Sequence, residues 1–262
     1  MRCIFCKENS SDSKSVEHII PESLGGKKHT LPVGIVCDKC NNDFAREVEK
    51  PFLENELIKL LRFEQSLESK KGIIPSTLGV LNTSHPVYVW KELRSGFAGH
   101  IDVDISAYNS ILATKKNMLI FPKYSDEMLV AESVIVSRFI GKIAIEAFAQ
   151  RIMHLGLDQF IDDVQFNSLR NHVRRQPILS WICNVRRIYE TNKIWIDSNT
   201  GETYQVMNEW DFLYTEEKEF YFIVAIFGTE YAINMGDGTI DGYNEWLSTH
   251  NNESPLYVKD EN

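Results

Sequence analysis

Four of the five cysteines of this chain fall into two closely spaced pairs, which is typical of a metal site. Cys3 and Cys6 form the first pair, Cys37 and Cys40 form the second, and 30 residues separate the pairs. Each Cys-x-x-Cys turn presents two sulfur atoms, and four sulfurs complete the tetrahedral shell of a structural zinc ion. We therefore predict a structural Zn²⁺ held by these residues, with four free buried thiols as the alternative. The fifth, Cys183, is expected to be a small buried hydrophobic residue.

A second group of polar residues lies between and directly after the cysteine pairs. Glu17-His18 is followed by an Ile-Ile-Pro turn and by Gly25-Gly26, and Asn41 directly follows the last cysteine at the head of an expected helix. This combination resembles the HNH endonucleases, the His-Me or ββα-metal finger nucleases, over residues 3 to about 50. The resemblance implies two strands and a helix that hold one divalent cation beside one histidine.

The resemblance also assigns a role to each polar residue. The general base falls on His18, and the ligands of a catalytic Mg²⁺ or Mn²⁺ fall on Glu17 and Asn41. His29 lies nearest the central position of the family pattern, from which it would orient the His18 ring. Many relatives carry aspartate where this chain has Glu17, whose longer side chain can still reach a metal.

The chemistry of phosphodiester hydrolysis is consistent with these roles. At neutral pH the reaction needs a base that deprotonates the attacking water and a cation that offsets negative charge on the phosphate. Mg²⁺ is usually bound by a small number of protein oxygen atoms, with water and phosphate as its other ligands. Each residue also has a structural alternative. His18 could pack against the helix or bind zinc, and Glu17 could be a solvated strand residue. Asn41 could cap the helix, and His29 could be an ordinary loop histidine.

The composition describes a soluble chain with room for two domains. Of its 262 residues 43% are hydrophobic and 25% are charged, and the net charge is −9. This charge excludes a protein that coats nucleic acid by bulk charge, although local basic faces are compatible with it. The longest apolar run, 220–227, is far shorter than the roughly 20 residues needed to span a bilayer, and no signal segment opens the chain. We expect a cytoplasmic protein without a membrane partner. The candidates for phosphate contacts are Lys27, Lys28, Lys39 and Arg46.

Hydrophobic periodicity predicts an α+β architecture in two domains. The first is a small zinc-stapled ββα finger over 1–56, called the finger below, and the second is a larger mixed α+β domain over 57–262. In the finger we expect β-like runs at 16–20 and 34–36, a helix capped by Asn42 or Asp43, and a further helical segment from Pro51. Beyond it the pattern predicts strands at 86–90, 100–105, 118–121, 181–189, 204–214 and 220–227, and helices at 126–155 and 157–175.

Several hypotheses of function follow from these features. The leading one is a metal-dependent HNH endonuclease that hydrolyses DNA, and the resemblance permits a restriction or antiphage role. The alternative is a zinc-stapled nucleic-acid-binding module without catalysis, against which the complete set of Glu17, His18 and Asn41 argues. In a third hypothesis, the domain 57–262 senses a ligand or partner protein that switches the nuclease on. Without such a role, this domain is expected to recognise DNA. Assembly into a homo-oligomer is compatible with each.

Overall fold

The computed structural model describes residues 1–82, 85–94, 97–102, 105–121, 133–175 and 181–257. It contains both helices and strands, so the predicted mixed α+β class is confirmed. Within the part of the chain that it describes, no helix is long and apolar enough to cross a membrane.

The chain forms two compact units. Unit 1 consists of Met1–Pro21, Gly25–Phe52 and Leu129–Asn262, and unit 2 consists of Glu22–Leu24 and Leu53–Met128. This division differs from the predicted one into 1–56 and 57–262. The physical reason is that most of the finger packs with a helix and a sheet from the last half of the chain, so that the middle segment stands as a unit of its own.

The finger contains a two-stranded antiparallel sheet followed by a helical stretch. Its elements are β1 (Glu17–His18), β2 (Thr30–Leu31), α1 (Asp38–Phe44), a π-helical turn (Ala45–Glu49) and α2 (Lys50–Leu53). Glu17 pairs with Leu31 and His18 pairs with Thr30. Because successive strand residues face opposite sides of a sheet, Glu17 and His18 project into different surroundings.

Two element boundaries in the finger differ from the predicted ones. The second strand is at Thr30–Leu31 and not at 34–36, because Gly34 turns the chain with a φ of 91° that strands do not adopt. The helix begins at Asp38, because the Cys37 side chain accepts a hydrogen bond from the backbone N–H of Cys40 and caps it there. The prediction of an Asn42 or Asp43 cap is therefore wrong.

Unit 2 contains a four-stranded antiparallel sheet with two helices. Its elements are α3 (Glu56–Glu64), β3 (Thr77–Leu81), β4 (His85–Arg94), β5 (Phe97–Asp102), α4 (Ile105–Ala113) and β6 (Leu119–Ile120), and the strand order is β5-β4-β3-β6. The predicted strand 86–90 lies within β4, and 118–121 includes β6. Of the predicted strand 100–105, residues 100–102 lie in β5, residues 103–104 lie outside the described residues, and Ile105 begins α4. The side chains alternate, so that Val87 and Val89 join the core while Tyr88 and Trp90 are exposed on the other face.

In the rest of unit 1, a long helix packs against a second four-stranded antiparallel sheet, and two shorter helices and a two-stranded sheet accompany them. The elements are α5 (Val134–His154), α6 (Asn167–Arg174), β7 (Cys183–Arg187), β8 (Trp195–Ile196), β9 (Thr203–Tyr204), β10 (Asn208–Tyr214), β11 (Phe220–Ile226), β12 (Thr229–Asn234) and α7 (Asp241–Thr249). The strand order is β10-β11-β12-β7, and α5 packs on β12. Residues 126–132 of the predicted helix lie outside the described residues. Cys183 is buried in β7, as predicted.

Candidate functional site

The four paired cysteines lie together in the finger. Their Sγ atoms are all within 4.8 Å of one another, and those of Cys6 and Cys37 are 3.6 Å apart. Sulfurs bound to one tetrahedral zinc ion at about 2.3 Å lie roughly 3.8 Å apart. The backbone N–H of Cys37 donates to Cys3 Sγ, and that of Cys40 donates to Cys37 Sγ, both over 3.4 Å. The donor set and its spacing therefore fit a four-sulfur zinc site.

The electrostatics of this cluster also favour a bound cation. The contact with Cys40 lowers the pKa of Cys3 to about 4, whereas the same contact raises the pKa of Cys40. Burial raises the pKa of Cys6. One negative sulfur thus disfavours the next, and four thiolates can coexist here only beside a strong positive charge.

His18 is half-buried on β1, and a backbone carbonyl holds its ring. Nδ1 lies 3.2 Å from the carbonyl oxygen of Gly26. Because a carbonyl oxygen only accepts hydrogen bonds, Nδ1 must donate, and a neutral ring then carries its lone pair on Nε2. This is the tautomer that lets Nε2 take a proton from water while the ring stays fixed.

The carbonyl that holds His18 depends on the small size of Gly26. A Cβ atom at residue 26 would lie 1.8 Å from the carbonyl oxygen of Ile20, and the N–H of Gly26 donates to Pro21 O over 3.2 Å. The sequence indicated only a turn at Gly25-Gly26. In the sequence, the feature that could have indicated this contact is the Gly25-Gly26 pair shortly after Glu17-His18.

His29, the residue expected to orient the His18 ring, contacts the residue after β1 through its backbone. Its carbonyl oxygen accepts a hydrogen bond from the N–H of Ile19 over 3.1 Å. Its side chain is exposed, and its ring centroid is 6.4 Å from that of Trp210. The contact that holds the His18 ring comes from the Gly26 carbonyl and not from the side chain of His29. A role of His29 in the reaction stays a prediction.

Glu17 lies in a buried cluster of ions that the sequence did not reveal. Nζ of Lys142 in α5 is 2.5 Å from Glu17 Oε1 and 2.9 Å from Glu146 Oε2. Glu49, in the π-helical turn, contributes a third carboxylate oxygen at 2.9 Å. The side chains of Lys142 and Glu146 are 0% exposed and that of Glu17 is 6% exposed. The available signal was a Lys and a Glu four residues apart within the apolar run 139–149.

Burial and charge act in opposite directions on the lysine of this cluster. Burial alone lowers the pKa of Lys142, but the carboxylates of Glu146, Glu17 and Glu49 raise it well above its ordinary value, so the ammonium stays charged. Burial raises the pKa of Glu146 well above its usual range. Within the described residues, Glu146 Oε1 is buried without a hydrogen-bond partner. Three carboxyl groups thus surround one ammonium, and burial favours the neutral form of Glu146.

Asn41 is half-buried in α1, directly after the last zinc-ligand candidate. Its backbone N–H donates to Cys37 O over 2.9 Å. Cys37, and not Asn41, caps the helix, which removes capping as an explanation of this residue. Its side chain makes no hydrogen bond to any residue of the ranges that the structure describes. Its amide oxygen suits a hard cation, and its assignment as a metal ligand, like that of Glu17, stays a prediction.

The candidate phosphate contacts fall into two groups. Lys39 and Arg46 both pair with Asp43 at 3.0 Å, so their charges are partly neutralised. Lys27 and Lys28 are exposed and directly follow Gly26 in the loop that holds His18. The second group is therefore the better placed to meet a polyanion at His18.

Comparison with known proteins agrees with the geometry of the finger. The HNH endonuclease family model matches residues 3–57, about a fifth of the chain, which confirms the resemblance seen in the cysteine pairs and the Glu-His pattern. The match points to a nuclease, and therefore to a nucleic-acid substrate. No curated protein and no solved structure gave a significant match.

Proposed function

We propose that this chain is a metal-dependent endonuclease that hydrolyses DNA with His18 as its general base. The observation that carries the proposal is the anchoring of His18 Nδ1 by the Gly26 carbonyl at 3.2 Å, within a segment that matches the HNH endonucleases. A histidine held in this way has one nitrogen for support and one for proton transfer.

The remaining residues of the finger would hold a single Mg²⁺ or Mn²⁺ and the substrate. Glu17 and Asn41 supply a carboxylate and an amide oxygen for the cation, while His29 holds Ile19, the residue after β1, through its backbone. When bound, the cation offsets negative charge on the phosphate and the leaving oxygen. His18 Nε2 accepts the proton of the attacking water, and Lys27 and Lys28 contact the DNA backbone. The zinc on the four cysteines is structural.

The proposal is tested by plasmid cleavage in Mg²⁺ or Mn²⁺. His18→Ala should slow cleavage by about 10²–10⁴-fold, the usual contribution of a general base, without loss of zinc. His154→Ala is a matched control, because this exposed histidine ends α5 in the same unit. Equal cleavage by the His18 variant and wild type, or loss of one zinc equivalent from that variant, would contradict the assignment.

A second candidate is a nucleic-acid-binding module without catalysis. The contact between Lys142 and Glu17 favours it, because an ammonium already lies 2.5 Å from the carboxylate that the cation would use. This module would bind DNA in the same assay and leave the plasmid intact in either metal. The enzyme is the stronger candidate, because a binding module does not require the complete set of Glu17, His18 and Asn41 in a segment that matches the HNH endonucleases.

The chain beyond the finger is proposed to select the substrate or to control the nuclease. Residues 57–262 would recognise DNA, or sense a ligand or partner protein, in a restriction or antiphage role, and the protein could act as a homo-oligomer. These roles are separated by measuring whether cleavage by purified protein needs an added cell extract. An extract requirement would indicate control, and full activity without it would indicate recognition.

A further inference from the structure

We propose that Lys142 and Glu146 in α5 are positioning residues for this nuclease: Lys142 fixes the carboxylate of Glu17, and Glu146 fixes Lys142. The inference rests on the proposed function, since it concerns the surroundings of a proposed cation ligand. It extends the site beyond residues 3–57, the segment that matches the HNH endonucleases.

The geometry around Lys142 is that of a fixed support. An ammonium has three N–H donors, and three carboxylates, those of Glu17, Glu49 and Glu146, lie within 2.9 Å of Nζ. Nζ also lies 3.5 Å from the backbone oxygen of His18. Lys142 therefore touches both consecutive residues of β1 on which the proposed chemistry depends.

Burial keeps this arrangement in one conformation. The side chains of Lys142 and Glu146 are wholly buried, so neither can exchange its partner for water. Arg138, one helical turn earlier, donates to Val173 O over 2.9 Å and to Glu47 O over 3.2 Å. Arg138 thus joins α5 to the π-helical turn that contains Glu49. The position of the Glu17 carboxylate therefore depends on α5, which carries Lys142.

The charge balance indicates more than a structural ion pair. A pair that served folding alone needs one carboxylate, whereas Glu17 and Glu49 both face this ammonium, and Glu146 adds a third carboxyl group. Glu146 also leaves Oε1 buried without a hydrogen-bond partner among the described residues. The cluster as a whole therefore stays negative beside Glu17, which favours a divalent cation at that carboxylate even though an ammonium is close to it.

Replacing Lys142 by methionine would keep most of its volume and remove the ammonium. Glu17, Glu49 and Glu146 would then repel one another, and the Glu17 carboxylate would lose its fixed direction. We expect zinc-loaded Lys142→Met to bind Mn²⁺ at least tenfold more weakly than wild type, and to need a correspondingly higher Mg²⁺ concentration for half-maximal cleavage.

The test measures Mn²⁺ binding by electron paramagnetic resonance on full-length, zinc-loaded protein, together with the melting temperature. Arg170→Met is the control, because it removes a buried cation from the same unit, and the hydrogen bonds of this arginine go to residues 161–167. It should lower the melting temperature and leave Mn²⁺ affinity unchanged. If Lys142→Met proves insoluble, the double variant Lys142→Met with Glu146→Leu removes the ion pair as a unit and should show the same weakened Mn²⁺ binding.

Two results would overturn the positioning role. Unchanged Mn²⁺ affinity in the Lys142 variants would mean that the lysine only supports folding, and tighter binding would mean that its ammonium competes with the cation. If wild-type protein itself neither bound Mn²⁺ nor cleaved DNA, the proposed function would fail and this role of Lys142 with it. The wild-type measurement separates that result from the other two.

Discussion

His18 shows how a backbone contact can control the chemistry of a side chain. Its Nδ1 faces the Gly26 carbonyl, so the tautomer of the ring follows from the shape of the loop between β1 and β2. Gly26 can form this loop because its hydrogen atom fits where a methyl group would meet the Ile20 carbonyl. The contact that fixes the His18 ring thus depends on a residue without a side chain.

Gly26→Ala should damage catalysis without affecting zinc. The added Cβ would lie 1.8 Å from Ile20 O, a backbone atom that cannot turn aside, so the loop and its carbonyl must move away from His18. We expect cleavage to fall at least tenfold at full zinc content. Gly236→Ala is the control, since its Cβ would meet only Asn234 Oδ1 at 3.4 Å. Equal activity of the two variants would show that the Gly26 carbonyl does not position the base.

The residue roles were only partly accessible from the sequence. The cysteine cluster could be predicted because Cys-x-x-Cys turns are local and bring their own geometry. Lys142 and Glu146 could not be placed, because a Lys and a Glu on an apolar helix face are compatible with many partners. The contact of Lys142 with Glu17 spans 125 residues of the chain and depends on tertiary packing.

At the level of elements, the second cysteine turn and α1 are structurally coupled, because a cysteine of the turn caps the helix. Cys37 caps the helix through its sulfur while it also faces the other three cysteines, and Asn41 lies in the turn that follows. Zinc binding would therefore fix both the start of α1 and the place of Asn41. The sequence placed the helix cap five or six residues late, because a cysteine sulfur is not among the usual capping groups.

Cys37→Ser or Cys40→Ser should remove zinc and unfold the finger, because metal binding in so small a unit supplies much of its folding free energy. Zinc content and amide hydrogen exchange over residues 1–56 measure both effects. Cys183→Ala is the control, since this cysteine is buried in β7 away from the cluster. Retention of one zinc equivalent with unchanged protection in the serine variants would refute the assignment of the site.

The helical stretch after α1 illustrates where periodicity fails. Pro51 suggested a new helix, and α2 does begin at Lys50, but a π-helical turn joins it to α1 without a break. Proline has no N–H to offer the Glu47 carbonyl, four residues earlier, and Arg138 donates to that oxygen instead over 3.2 Å. Likewise, the helix predicted over 157–175 becomes two short 3₁₀ turns and α6, because Asp163 is extended between them.

On the scale of the whole molecule, most of the finger and the last half of the chain share unit 1. Lys142 on α5 forms ion pairs with Glu17 and Glu49, and Gln150 on the same helix donates to Thr30 O in β2 over 3.1 Å. The segment that matches the HNH endonucleases is therefore stabilised in part by contacts from α5, which lies outside that segment. Sequence patterns predicted most of the elements but not this assembly, because the contacts that define it are long-range.

A fragment of residues 1–57 should consequently be unstable. Removal of one partner from a buried ion pair costs about 3–5 kcal/mol, and this fragment would lose Lys142 from Glu17 and Glu49. We expect it to bind zinc poorly and to cleave no DNA, as measured by zinc content and plasmid assay beside the full chain. A soluble, zinc-loaded and active fragment would show that α5 is dispensable for the finger.

The most direct test of the account separates the two metals. Zinc in a four-sulfur shell has no vacant position for phosphate, whereas a cation held by Glu17 and Asn41 should exchange readily. Brief EDTA treatment should therefore stop plasmid cleavage while zinc stays bound. Added Mg²⁺ or Mn²⁺ should restore cleavage by wild type but not by His18→Ala. If cleavage returned only with added zinc, or continued after complete removal of Mg²⁺ and Mn²⁺, the site would not be the hydrolytic centre proposed.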